Sequence, residues 1–119
     1  MLNPDNKVTT VLRHADYMES LDPNEYNQEQ LEHCICGHFS YANGRDQIST
    51  QFAVDSLGLK YEEARVLFAA IVLVPKRPFL GLFSRWGPPS PKDAAKCLRE
   101  FATTGVIPTW WQTPYVVHV

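Results

Sequence analysis

The chain has 119 residues, of which 45% are hydrophobic and 20% are charged, a balance typical of a soluble globular domain and not of a disordered chain. Its length predicts one domain over residues 1–119, large enough to bury a core of its own. The formal net charge of −2 provides no general attraction to nucleic acid, so we expect none as a partner.

The cysteine content and the N-terminal sequence predict a cytoplasmic protein. Three cysteines cannot all pair within one chain, and their spacing is not that of a secreted disulfide framework. Residues Met1–Asp5 have neither the basic start nor the apolar run of a signal peptide. The apolar run Val66–Val74 is far shorter than the ~20 residues that cross a bilayer, so we expect no membrane anchor.

The first predicted helix runs from about Pro4 to Leu21. Asn3 can cap it, and proline is favoured in a first turn, where an N–H has no partner in the helix. Asp22-Pro23-Asn24 ends the helix. Apolar residues recur at three- and four-residue steps, as on one helix face: Val8, Val11, Leu12, Ala15, Met18 and Leu21.

A second helix is predicted from about Gln28 to Tyr41, ending at Asn43-Gly44. Its cysteines are expected in the middle of the helix, away from the N-terminus where the helix dipole favours a thiolate. Its apolar face is predicted to contain Leu31, Cys34, Ile35, His38, Phe39 and Ala42.

The segment His33–His38 within this helix contains residue types that bind zinc or act as nucleophiles. Cys34 and His38 are four residues apart and share a helix face, whereas Cys36 points away from both. The other candidate ligands are His14, Cys97 and His118. Each stands alone in the sequence, with no second ligand at the short spacing that a metal site uses. We therefore predict core packing, with no metal, no cofactor and no enzyme activity. A thiol- or metal-dependent enzyme around Cys34 and Cys36 is an alternative.

Two more helices, joined by a tight turn at Gly58, are predicted within Gln47–Val74. Asp46 can cap the first, and glycine suits the left-handed backbone that ends it. Tyr61–Ala64 begins the second with two acidic residues, which the helix dipole favours. Every side chain from Val66 to Val74 is apolar, so this helix is predicted to be buried on nearly all sides. Its central core residues are Leu67, Phe68 and Ile71.

This pair of helices also resembles a DNA-binding helix-turn-helix in the spacing of its small and apolar residues. Against that interpretation, Val54 is large for its position, and Glu62 and Glu63 start the helix that would contact DNA. Arg65 alone could contact phosphate or guanine, and the apolar residues that follow suit a core. A nucleic-acid-binding regulator that uses residues 47–74 is the second alternative.

From Pro75 to Pro91 no regular structure is predicted, because this stretch contains five prolines and two glycines. It is too apolar for a solvated linker, so we expect an ordered lid or an exposed binding surface. Basic residues alternate with aromatic ones, as at protein interfaces and on surfaces that stack single-stranded bases. The predicted partner-binding residues are Lys76, Arg77, Phe79, Leu82, Phe83, Arg85 and Trp86.

A fifth helix is predicted to start at Ser90-Pro91-Lys92-Asp93, with a serine cap, a proline and a carboxylate in the favoured positions. It ends at Gly105. The tail Val106–Val119 is predicted to cross the bundle as an extended strap. The inner face of the fifth helix is predicted to contain Ala94, Ala95, Leu98, Phe101 and Ala102.

Four segments resemble those of a family of small uncharacterised all-helical proteins from bacteria and their phages. These segments are Leu21–Tyr26, Cys34–Phe39, Phe52–Phe68 and Asp93–Gly105. The chain departs from the family at Lys60, where a capping serine or threonine is usual. The resemblance implies an all-α fold and a phage or mobile-element origin, and it implies no activity.

Together the elements predict an all-α, single-domain bundle of about five helices with a proline- and aromatic-rich loop and a C-terminal strap. The predicted function is that of a small cytoplasmic adaptor, encoded by a phage or mobile element, that acts by binding another protein. A second copy of the chain is the other partner that we expect.

Overall fold

The computed structural model describes residues 4–79 and 83–113. This part of the chain is mostly helical and contains one two-stranded antiparallel sheet. No helix in these ranges is both long and apolar enough to span a bilayer. The helices are α1 (Pro4–Glu19), α2 (Ile35–Ala42), α3 (Thr50–Leu57), α4 (Tyr61–Leu67) and α5 (Pro91–Thr104), and the strands are β1 (Val74–Phe79) and β2 (Phe83–Gly87).

The core is built on the packing of α1 along α5, the most extensive contact between two helices. On the solvent side of this contact, Arg99 of α5 forms ion pairs with Asp16, at 2.9 Å, and with Glu19. The predicted apolar face of α1 is confirmed for only part of its residues, because Val8 and Leu12 are 41% and 40% exposed. The buried residues of the two helices include Val11, Ala15, Met18, Ala94, Ala95, Leu98 and Phe101.

Several helix ends lie where the sequence predicts them. Gly58 adopts a left-handed backbone with φ 65° after α3, as expected of a glycine that ends a helix. Before α5, the Ser90 Oγ accepts a hydrogen bond from the Asp93 N–H, and the Asp93 carboxylate accepts one from the Ser90 N–H. The cap of α3 differs from the prediction. Ser49, and not Asp46, caps it by accepting the Phe52 N–H at 3.1 Å.

The helix predicted to reach Val74 ends at Leu67, because side chains from elsewhere bind the carbonyl groups that a longer helix would use. The Trp111 Nε1–H donates to the Val66 carbonyl at 3.1 Å, and the Gln28 amide donates to the Leu67 carbonyl at 3.0 Å. Leu67 is fully buried, but the prediction is wrong for Ile71, which is 39% exposed. Phe68, also predicted in the core, is half-buried.

The second helix is also shorter than predicted, since α2 begins at Ile35 and not near Gln28. Residues 27–33 form turns instead, with the Asn27 N–H donating to the His33 carbonyl at 3.0 Å. Leu31, which was placed on the apolar face, is 56% exposed. The prediction of mid-helix cysteines is therefore wrong, because Cys34 is the N-cap of α2.

The segment between Pro75 and Pro91 contains most of the hairpin formed by β1 and β2, so the prediction of irregular structure is wrong there. Beyond α5, the predicted strap is anchored by the buried Trp111. Gln112 then pairs with Leu73 through two main-chain hydrogen bonds of 2.7 and 3.1 Å. The rest of the predicted strap, residues 114–119, lies outside the described residues.

Candidate interaction hairpin

The hairpin places the predicted partner-binding segment on two paired strands. Two residues of β1, Arg77 and Pro78, lie opposite Ser84 alone on β2, which makes a β-bulge. Proline explains the irregularity, because Pro78 has no N–H to contribute to the ladder. The regular pairs are Val74–Gly87, Pro75–Trp86, Lys76–Arg85 and Phe79–Phe83.

The two prolines of β1 also determine where the amides of β2 point. Pro75 cannot donate to Trp86, so the main-chain groups of this pair must face away from each other. The neighbouring pair, Lys76 and Arg85, therefore bond each other directly, and along an extended strand the main-chain groups of successive residues point to opposite edges. It follows that the N–H and C=O groups of Ser84 and Trp86 point to the outer edge of β2.

The outer edges of the two strands are therefore different. Next to β1, Leu73 is already paired with Gln112, and Pro75 offers a carbonyl group but no N–H. On β2, no main-chain group within residues 4–79 and 83–113 is bonded to the outward amides of Ser84 or Trp86. Within the described part of the chain, β2 is thus the open edge of the hairpin.

The base of the hairpin is fixed to the helical body. Val74 is fully buried, and the Lys76 Nζ forms an ion pair with the Asp93 carboxylate of α5 at 2.9 Å. Burial opposes ionisation of Asp93, but the hydrogen bonds from Lys76 and Ser90 hold the pKa of its carboxyl group below the ordinary value. Lys76 was predicted to bind a partner, and its ammonium group is already engaged within the chain.

Two of the seven predicted partner-binding residues have described side chains, namely Lys76 and Trp86. Trp86 is 46% exposed, so a large apolar side chain near the base of the hairpin faces water. Leu82 lies outside the described residues. Four more have described strand positions, but their side chains lie outside the described part: Arg77, Phe79, Phe83 and Arg85.

Cys34, Cys36 and His38 of the second candidate site are buried in the core, whereas His33 is exposed. The N-terminal position of Cys34 does not produce a thiolate, because burial raises the pKa of its thiol more than the nearby backbone N–H groups lower it. Burial likewise raises the pKa of Cys36. The His38 Nε2 lies 2.6 Å from the Glu25 carbonyl oxygen and donates its hydrogen to it. Among the described residues, no three metal-binding side chains cluster.

The helix-turn-helix-like unit has the expected turn, but α4 has seven residues. Glu63 accepts a hydrogen bond from the Lys60 N–H at 2.7 Å. An acidic residue therefore lies at the N-terminus of α4, the end that would face DNA. An apolar groove of about 520 Å³ lies between α3 and α4, lined in part by Val54, Tyr61 and Phe68. This groove provides apolar contacts, and Arg65 is its one basic residue.

Comparison of the chain with protein-family models, curated proteins and solved structures finds no match. The resemblance to small bacterial and phage proteins therefore stays a prediction. Interpretation of the candidate site depends on its own geometry, in which the open edge of β2 and the exposed Trp86 lie together.

Proposed function

We propose that the chain is a small adaptor that acts by binding another protein through the β1–β2 hairpin. The exposed indole of Trp86 is the observation that carries this proposal. Tryptophan is enriched among the residues that dominate binding energy at protein interfaces. A partner that covers Trp86 gains apolar contact area, and the hairpin base is already ordered by Val74 and by the Lys76–Asp93 ion pair.

The small number of contacts between the strands and the helices, apart from the anchored base, supports the same proposal. β1 and β2 contact each other far more than either strand contacts a helix. A two-stranded hairpin alone is marginally stable in water, because one of its faces lacks a packing partner. A bound protein supplies that partner. The described thiols, all three of them free and buried, fit a reducing cytoplasm, where we place the adaptor together with a phage or mobile-element origin.

The proposal is tested by comparing Trp86→Ala with Tyr61→Ala in affinity capture with the full chain as bait. Tyr61 is 73% exposed and lies on α4, so it is a control for the loss of any exposed aromatic ring. We expect Trp86→Ala to lose the captured protein, and Tyr61→Ala to retain it. Both variants should melt within a few degrees of the unmodified chain, since exposed side chains contribute little to stability.

Two results would contradict the proposal. One is full retention of the captured protein by the Trp86→Ala chain, and also by the Phe83→Ala/Trp86→Ala double variant. The other is unfolding of Trp86→Ala, which would assign a structural role to the indole and move the search for a binding surface to the groove between α3 and α4.

A further inference from the structure

We propose that the outer edge of β2 binds an acidic, extended segment of another protein as an added β-strand. This inference rests on the proposed adaptor function and specifies the partner's chemistry and the way it binds. Strand addition uses main-chain hydrogen bonds for affinity, and side chains on alternate positions for specificity.

The first argument is the geometry of the edge. The outward amides of Ser84 and Trp86 are two residues apart in one strand, a separation of about 7 Å that alternate residues of any extended chain match. Trp86 adds a half-exposed indole beside the amide that it offers. A bound strand therefore meets both hydrogen-bonding groups and an apolar contact along the same edge.

The second argument is that the opposite edge is unsuitable. Gln112 already occupies the main-chain groups of Leu73, and the next outward position of β1 is Pro75, which has no N–H. Proline on an edge strand is a common way in which proteins prevent further strand pairing. Because one edge is blocked and the other is open, the hairpin directs an incoming strand to β2.

The third argument is charge. Residues 74–87 contain three basic side chains and no acidic one, although the whole chain has a net charge of −2. Asp93 neutralises Lys76, and Arg77 and Arg85 give the rest of the hairpin a positive formal charge. An acidic segment is attracted to this hairpin. A second copy would instead bring two basic hairpins together, and like charges on paired strands are destabilising.

The test uses the full, ¹⁵N-labelled chain and a synthetic probe, acetyl-(Glu-Val)₄-amide. Hydrogen exchange of individual amides is followed by NMR with and without the probe. We expect exchange at Ser84 and Trp86 to slow by about tenfold near saturation, because newly bonded amides are protected. The amides of Phe83 and Arg85 are already bonded within the hairpin and should change little. Added salt should weaken the effect, since the attraction is partly electrostatic.

Two control comparisons make the outcome specific. The probe acetyl-(Lys-Val)₄-amide has the same strand pattern with the opposite charge, and it should give no protection. The Ser84→Pro variant removes one outward N–H and leaves the pairs within the hairpin intact, so it should weaken probe binding. Ser84→Ala keeps that N–H and should bind as the unmodified chain does.

Absence of protection with the acidic probe overturns the inference, as does equal protection with the lysine probe. Protection that grows with protein concentration in the absence of a probe also overturns it, because the edge then binds a second copy. These failures differ from failure of the adaptor function. If Trp86→Ala loses the captured protein while the acidic probe gives no protection, the hairpin binds its partner through side chains and the proposed function stands.

Discussion

At the scale of single residues, Gly37 shows why α2 starts where it does. The turns of residues 27–33 fold back so that main-chain atoms of Leu31 and Glu32 lie against this glycine. A Cβ at residue 37 would overlap the Leu31 carbonyl oxygen and would lie 2.8 Å from the Glu32 carbonyl carbon. Neither atom can move as a flexible side chain can. A side chain at this position is therefore incompatible with the close approach of the turn.

Gly37→Ala is predicted to lower the free energy of unfolding by roughly 2 kcal/mol or more, through backbone displacement in a packed region. Gly87→Ala is the matched control, because its new Cβ would meet only the Lys76 side chain at 3.4 Å. Urea denaturation of both variants measures the difference. Equal stabilities of the two variants would show that the turn yields easily and that the close approach is not a constraint.

At the scale of secondary-structure elements, the predictions that depend on residues close together in the sequence were the reliable ones. The helix α1, the Gly58 turn and the Ser90 cap of α5 could all be predicted, although Val8 and Leu12 of the predicted apolar face of α1 are exposed. The end of α4 could not, because Gln28 and Trp111 terminate it from distant parts of the chain. The apolar run 68–74 therefore looks like the continuation of a buried helix in the sequence. In the structure it leads into the strand β1 instead.

The strands of the candidate site could not be predicted, for a related reason. Basic and aromatic residues favoured a binding surface in this segment, which stays a prediction, and its prolines indicated irregular structure. Pro75 and Pro78 are compatible with a strand here because one faces the outer edge and the other lies in a bulge. These two positions of the prolines depend on the register of β1 with β2. Local propensity cannot supply a register, which is set by pairing between strands.

The early end of α4 predicts different effects for two apolar residues of similar size. Leu67→Ala should lower the free energy of unfolding by about 2–5 kcal/mol, because its side chain is fully buried. Ile71→Ala should cost much less, since Ile71 lies beyond the helix and is partly exposed. Chemical denaturation of both variants tests this. Similar losses would indicate that the helix continues through residue 71.

At the scale of the whole molecule, one buried histidine couples global stability to pH. The His14 Nε2 lies 3.0 Å from the Ile35 carbonyl oxygen, and because a carbonyl can only accept, this nitrogen carries the hydrogen. Burial is the main cause that lowers the pKa of His14 from 6.5 to about 4, opposed by the Ile35 carbonyl and reinforced by His38. The folded protein therefore keeps the ring neutral over a range in which the unfolded chain protonates it.

The free energy of unfolding should consequently fall as the pH decreases from about 6.5 to about 4. Because the unfolded state binds the proton first, the loss attributable to His14 should reach about 3 kcal/mol near pH 4. Urea titrations at several pH values compare the unmodified chain with His14→Gln, which cannot titrate. We expect a shallower slope for the variant. Parallel curves would exclude His14 as the source.

The pairing of α1 with α5 has a consequence for synthesis on the ribosome. Asp16 and its partner Arg99 are separated by 83 residues, and translation at about 5–20 residues per second needs roughly 4–17 s to cover that distance. During that interval α1 can contact α2 and α3, but its main packing partner is not yet made. The largest contact in the core therefore forms late in synthesis, and part of the apolar face of α1 stays unpacked until α5 leaves the exit tunnel.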